Sequence, residues 1–234
     1  MLPPLCASCR APTRAEDEEA LCPACRVRLP WLANLGCRLC GDAEPLRDET
    51  LCSNCVRKRG RRSPLLACTA ALAFEGEAER WIYRIKYPVR GLGGLDPGAR
   101  AVLRDWTRAC AARAPGPLPD WIVPVPLHPR RLRERGFNPA ALIARELARE
   151  TGAHFAPRAL VRLRDTPSQT GLDRAGRRRN VEGAFACRKG LWLPDSLWLV
   201  DDVVTTRSTL EASARALRRA GAKRIAAVCL ARAR

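Results

Sequence analysis

No apolar run in the chain approaches the roughly 20 residues needed to span a bilayer, so insertion through a membrane-spanning helix is excluded. The opening MLPPLCASCR has no basic segment followed by an apolar one. No secretory signal is therefore expected, and the expected location is the cytoplasm. Lysine is scarce: only four of the 42 basic residues. Aromatic residues make up 5% of the chain, which leaves few rings for stacking against bases.

What is present describes a globular protein. Hydrophobic residues make up 47% of 234, enough for one ordinary core and a small extra module. The net charge is +18. Compositional bias toward arginine is the bland reading of it, and a surface that meets phosphates or nucleic acid is the functional one. Residues 1–64 carry 11 basic and 8 acidic groups, whereas 127–180 carry 13 and 5. The positive charge is thus concentrated in one stretch of the second part.

Eight of the 12 cysteines form four C-x-x-C knuckles: CASC, CPAC, CRLC and CSNC. Each knuckle turns two thiolates toward one point, and tetrahedral zinc takes four such ligands. A cytoplasmic location disfavours the alternative, a disulfide scaffold. A module this short folds largely on metal binding. Sequential ribbons use Cys6, Cys9, Cys22 and Cys25 for one ion and Cys37, Cys40, Cys52 and Cys55 for the other; a cross-brace interleaves them. Nearly equal spacing within each half suggests duplication and favours sequential ribbons. Two such sites each carry −2, which leaves the module near neutral and a poor binder of nucleic acid. The segment LPWLANL (Leu29–Leu35) is expected to pack between the ribbons or on the second domain. Cys68, Cys110, Cys187 and Cys229 read as small core residues. A basic linker, Arg57–Pro64, ends the module, giving expected domains of 1–60 and 65–234.

In the second part, PLLACTAALAF reads as a strand and EAERWIYRIKY as a helix. GARAVLRDWTRACAAR reads as an amphipathic helix, and DWIVPVPL as a strand broken by prolines. NPAALIARELARETG is a helix with Asn138 at the N-cap, Pro139 at N1 and Gly152 as its stop. LWLVDD, a hydroxyl-rich loop, TLEASARALRRAG and KRIAAVCLAR then read as a strand–helix–strand unit. The expected fold class is α/β, a mostly parallel sheet with flanking helices.

Ligands of such sheets bind beyond the carboxyl ends of the strands. Asp201 and Asp202 fall at that edge, where paired carboxylates need an answering cation or hydroxyl ligand. Thr205, Thr206, Ser208 and Thr209 open the next helix, where free amides favour a phosphate. Together they describe a sugar-phosphate site; an N-capping Asp followed by a polar turn is the bland alternative.

VDDVVTT resembles the phosphoribosyl pyrophosphate (PRPP) motif of type I phosphoribosyltransferases. With VPVPLHPRRLRERGFNPA, TPSQTGLDRAGRRRNVEGAF and the four knuckles, the whole chain resembles the ComF competence-protein family. The resemblance implies that Asp201 and Asp202 handle the ribose hydroxyls and Mg²⁺, and that Thr205–Thr209 hold the 5′-phosphate. It places Val125, Pro126, Leu127 and His128, with Arg130 and Arg131, on the pyrophosphate side. It implies a mobile cover at Thr166–Asn180 with Gln169, Arg177 and Asn180, and a basic position at Lys86. His128 itself reads as structural rather than as an acid–base group. The implied cofactors are two structural Zn²⁺ and Mg²⁺ with PRPP. The implied process is DNA uptake, with transferase chemistry or a non-enzymatic role on single-stranded DNA as alternatives. The rings nearest the basic stretch are Trp121, Phe137, Phe155 and Phe185, so phosphate attraction is better supported than base stacking.

Arg207 departs from the motif, which usually has glycine there. A backbone that wraps a phosphate often needs positive φ, which costs an arginine roughly 1 kcal/mol. Either the loop follows another path or the guanidinium itself reaches the phosphate; the second is expected, since the hydroxyl residues around it remain.

Overall fold

The computed structural model describes residues 4–13, 20–32, 37, 39–41, 46–48, 51–57, 63–87, 95–114, 116–166 and 173–233. The amino-terminal part holds helix α1 (Pro23–Val27), the hairpin strands β1 (Leu46–Asp48) and β2 (Leu51–Cys52), and helix α2 (Ser53–Val56). Then follow β3 (Ala67–Ala73), α3 (Gly76–Lys86), α4 (Pro97–Arg113), β4 (Trp121–Pro124), α5 (Pro129–Arg135), α6 (Pro139–Thr151) and β5 (His154–Phe155). The chain continues through β6 (Leu160–Arg162), α7 (Arg174–Val181), β7 (Phe185–Cys187), β8 (Ser196–Val204), α8 (Ser208–Arg219) and β9 (Arg224–Arg232).

β3, β9, β8, β4 and β5 lie in that order in one sheet, and every pairing in it is parallel. β6 and β7 form a separate antiparallel pair. Period-two alternation sends neighbouring strand residues to opposite faces. Ile122, Trp198, Val200, Val228 and Leu230 share a core with α3, α4 and α6 through Trp81, Ile85, Leu103, Trp106, Ile143 and Leu147. Val123, Leu197, Leu199, Ala227 and Cys229 share the other with α8 through Leu210, Ala214 and Leu217. A sheet covered on both faces has continuously apolar strands, and β9 is buried along nearly its whole length. The expected α/β class, a mostly parallel sheet with flanking helices, is what the chain has.

Local chemistry sets the element ends. The Asn138 side chain accepts from the Ala140 amide, and Gly152 ends α6 in the left-handed region at φ 72°. β4 stops at Pro124. Cys68, Cys110 and Cys229 are core residues as expected, whereas Cys187 is only half-buried.

The amino-terminal module is fastened to this sheet. Trp31 forms an antiparallel bridge with Leu72 on β3, the sheet's edge strand, so the LPWLANL segment packs on the second domain rather than between ribbons. The Leu32 amide donates to Ala71 O at 3.0 Å and the Ala73 amide to Pro30 O at 2.8 Å. Covering an edge strand in this way removes a template for unwanted pairing. Positions 33–35 of that segment lie outside the described residues. The Ala20 amide also donates to Asp105 on α4 at 2.7 Å.

Candidate functional site

Four sulfur atoms from Cys6, Cys9, Cys22 and Cys25 lie within 4.8 Å of one another, as do those of Cys37, Cys40, Cys52 and Cys55. The pairing is sequential, not cross-braced. The halves repeat in detail: Cys22 caps α1 with Cys25 inside it, and Cys52 caps α2 with Cys55 inside it. Each set fits the tetrahedral thiolate coordination of structural zinc. All four cysteines of the second set are buried. A hydrogen bond from the Cys40 thiol pushes Cys37 down to about 4, while burial pushes Cys55 up to about 11.

At the carboxyl edge of the sheet, β8 delivers Asp201 and Asp202 beside the end of β4. The Val125 amide donates to Val200 O at 2.8 Å, so the turn Val125–His128 starts next to the aspartates. The Asn138 Nδ2 donates to Val125 O at 2.9 Å and holds that turn from the α6 side. Asp202 and Val203 amides donate to Asp201 Oδ1 and Asp202 Oδ1 at 2.9 and 2.6 Å. Lys86, the last residue of α3, places Nζ 3.1 Å from Asp202 Oδ1. Burial, then the neighbouring Asp202 charge, pushes the Asp201 carboxyl up to about 7, while Lys86 and Arg162 oppose the rise. Two half-buried carboxylates with this unmet demand for positive charge suit hydroxyl donors or a hard cation such as Mg²⁺.

Arg130 and Arg131 belong to α5, a helix where the sequence pattern indicates only a turn with nearby arginines. His128 caps it, Nδ1 accepting from the Arg130 amide at 3.4 Å, which is the structural role expected of it. Arg130 pairs with Asp165 at 3.3 Å, and Arg131 donates to Thr166 O at 3.1 Å. With Glu134 these residues line a cleft of about 380 Å³. Arg177 and Asn180 lie on α7, which Asp173 caps by accepting from the Gly176 amide at 2.6 Å. The stretch expected as a mobile cover is thus helical from Arg174 onward. Gln169 lies outside the described residues.

Sequence reasoning passed over Arg162. Its Nη2 donates to Thr166 Oγ1, its guanidinium lies 5.4 Å from the Phe185 ring centre, and its Nε is buried without a partner among the described residues. Burial and then Arg131 push it down, while Asp201 and Asp165 pull it up. Arg162 therefore joins the aspartate pair electrically to the arginines of α5. The only signal for it was its place in the short strand LVR, where alternation puts it on the same side as Leu160.

The loop after β8 holds Thr205, Thr206, Arg207, Ser208 and Thr209 at the start of α8, with Thr206 Oγ1 3.0 Å from Ser208 Oγ. Arg207 adopts φ 64° and ψ 6°, the left-handed conformation a glycine would take. At this residue the backbone therefore keeps the conformation a glycine would take. The guanidinium is not directed at the loop's ligand side: Nη1 donates to Leu39 O in the second cysteine cluster, and Nη2 lies 3.5 Å from Glu211. The expected reach toward the phosphate gives way to an arginine in the glycine conformation whose side chain is engaged by the knuckle.

Residues 1–56 match the double zinc ribbon domain family. DNA utilization protein YhgH of Salmonella typhi is 32% identical over 99% of this chain and 98% of its own length. Competence protein F of Haemophilus influenzae is 38% identical over 118 residues, 50% of this chain and 52% of that protein. Among solved structures, the allosteric regulatory enzyme of purine biosynthesis aligns over 65% of this chain and 30% of that one, with TM-score 0.41 and 18% identity. No described helix is long and apolar enough to cross a membrane. With an amino-terminal double zinc ribbon and a full-length relative, the chain belongs to the family of DNA utilization protein YhgH and competence protein F.

Proposed function

We propose that the chain is a PRPP-binding protein of the phosphoribosyltransferase type that acts in DNA uptake, with a zinc-ribbon module over 1–60 and the binding domain over 65–234. The observation that carries this reading is the placement of Asp201 and Asp202 at the carboxyl edge of a parallel sheet, joined to Lys86 and beside the Val125–His128 turn. Asp201 and Asp202 take the ribose hydroxyls, and Mg²⁺ through them. The amides and hydroxyls of Thr205–Thr209 take the 5′-phosphate. Arg130, Arg131 and Lys86 supply positive charge toward the pyrophosphate. Bound PRPP supplies an activated ribose, whose C1–pyrophosphate bond breaks as a bond to an acceptor forms. This chain's cations offset the charge on the departing pyrophosphate. The names of the relatives, DNA utilization protein and competence protein, support the assignment to DNA uptake. Calorimetry with PRPP and Mg²⁺ tests the reading: binding is expected in the wild type and lost in Asp201→Ala/Asp202→Ala. Equal affinity in that variant overturns it, and product analysis with candidate bases tests transfer.

A second reading, binding of single-stranded DNA, is favoured by an aromatic ladder beside the same site. Phe74, Tyr83 and Tyr87 follow one another at ring separations of 6.2 Å, and both tyrosines are at least half exposed. They are the only tyrosines in the chain. Arg135 stands 4.8 Å from the Tyr87 ring centre. Exposed rings flanked by cations are what single-strand binders offer to bases and phosphates. The rings nearest the basic stretch in sequence, Trp121, Phe137, Phe155 and Phe185, are not part of this ladder.

A further inference from the structure

The geometry points to Arg207 as a positioning residue through which the second cysteine cluster sets the conformation of the loop Thr205–Thr209. This deepens the PRPP reading and, in assigning that loop to phosphate, rests on it. Among the described residues only Arg10 and Arg207 have positive φ without being glycine. A strained backbone of this kind persists only where its surroundings over-determine it. At Arg207 they do. The side chain is 7% exposed, Nη1 donates to Leu39 O, and Nη2 faces Glu211 at 3.5 Å. The Glu211 amide returns a 2.8 Å hydrogen bond to Arg207 O. Backbone and guanidinium are thus fixed together, and the fixed point at the far end of the side chain is a carbonyl between two metal ligands, Cys37 and Cys40.

A second anchor makes the attachment stiff. Arg232 Nη1 donates to Cys40 O at 2.7 Å. Arg232 is the register partner of Val204, the residue just before the loop. The Ala233 amide also donates to Val204 O at 2.9 Å. The two arginines therefore hold adjacent carbonyls of one knuckle from both sides of the point where the loop begins. Gly41 completes the seat: a Cβ there would lie 2.9 Å from Cys68 O on β3, so the knuckle rests directly on the sheet backbone.

Electrostatics gives the attachment its dependence on metal. Four thiolates around one divalent ion carry −2, and two guanidinium groups beside them offset that charge. Zinc also fixes the knuckle turn, and so the positions of the Leu39 and Cys40 carbonyls. Without the ion the turn is free to move, the Arg207 anchor slackens, and the cost of the left-handed backbone is no longer offset. The loop then leaves the conformation that the left-handed Arg207 backbone gives it.

Amide hydrogen exchange of Thr205–Thr209, measured without PRPP, tests this directly. In the wild type, stripping zinc with a chelator should raise exchange in this loop about tenfold or more, while the β8 and β9 core stays protected. Arg207→Gly takes the same backbone conformation without strain but lacks the tether, so its loop exchange should be insensitive to zinc. Arg232→Ala, which leaves the loop sequence intact, should weaken the response. Cys9→Ser, which opens only the first cluster, should leave the loop unchanged. Unchanged loop exchange on stripping, an Arg207→Gly response equal to wild type, an equal effect from Cys9→Ser, or a rise spread evenly over β8 and β9 each overturns the coupling. In calorimetry Arg207→Gly should bind PRPP about tenfold more weakly, and improved affinity counts against a positioning role. Failure of the wild type to bind PRPP ends the ligand reading while leaving the exchange result to decide the coupling.

Discussion

The Lys86 ammonium sits 3.1 Å from Asp202 Oδ1 and ties the end of α3 to the carboxyl end of β8. The two residues are more than a hundred positions apart, and the sheet order brings them together. The pair is half-buried on both sides, so solvent screens it less than a surface pair. Lys86 also opposes the upward push on Asp201. Lys86→Met should therefore raise the Asp201 pKa further and weaken PRPP binding about tenfold, roughly 1.4 kcal/mol. Carboxylate titration by NMR and calorimetry check the two effects separately.

Arg162 acts on the same carboxyl from the other side. Its Nε is buried without a partner among the described residues, and its Nη2 holds Thr166. Arg162→Met preserves most of the packing on Phe185 and removes the charge. The Asp201 pKa should rise, by less than with Lys86→Met, and PRPP affinity should fall. The carboxylate titration distinguishes this from loss of packing, which would not move Asp201.

Asp201 itself sets a pH dependence. Its folded pKa, about 7, lies above the ordinary 3.8, so the folded chain holds more protons than the unfolded chain between those values. Its contribution to stability is full below pH 4 and is lost as pH rises through 7. Asp201→Asn should remove this falling component from a plot of melting temperature against pH. Ligands that need the ionised carboxylate show the opposite trend: PRPP–Mg²⁺ affinity should rise up to about pH 7, with proton release below it. Calorimetry in buffers of different ionisation enthalpy reads that proton.

The paired sulfur clusters predict about two zinc ions per chain. Strong chelation should unfold the ribbons, because a module this small gains much of its folding free energy from the metal. One ion per chain, or a disulfide-linked module, contradicts two structural sites. Metal analysis and thiol titration of the native protein decide it.

Periodicity and punctuation carried the parallel sheet, since β8, α8 and β9 form a self-contained apolar strand–helix–strand pattern. The cysteine clusters were legible for a similar reason: their ligands are close in sequence. Asp201 and Asp202 were found because a carboxylate pair is anomalous after LWLV. What stayed hidden depends on long-range placement. Helix α5 buries no side chain, so PRRLRER shows no apolar stripe. Arg162 and the Arg207 side chain find their surroundings only through tertiary packing. Tyr83, on α3, and Tyr87, the residue that caps its end, are both exposed, and only the fold shows Phe74 and Arg135 beside them.

That ladder makes the single-stranded DNA reading testable by residue type. Binding led by phosphate contacts should weaken steeply with salt, because each neutralised phosphate releases a counterion. Arg135→Ala should lower both affinity and the salt slope, the slope by about one. Tyr83→Ala and Tyr87→Ala should each weaken binding of a deoxythymidine oligonucleotide about tenfold at fixed salt, with the slope unchanged, because stacking releases no ions. Phe in place of either Tyr should retain affinity, since the ring rather than the hydroxyl meets the base. Both tyrosines are exposed, so these variants should fold, and fluorescence anisotropy over a salt series reads all of them. Asp201→Asn/Asp202→Asn should leave oligonucleotide binding intact. Affinity unchanged in both Tyr→Ala variants, or binding of duplex as tight as single strand, removes the ladder from the account and leaves the basic stretch to explain any DNA binding.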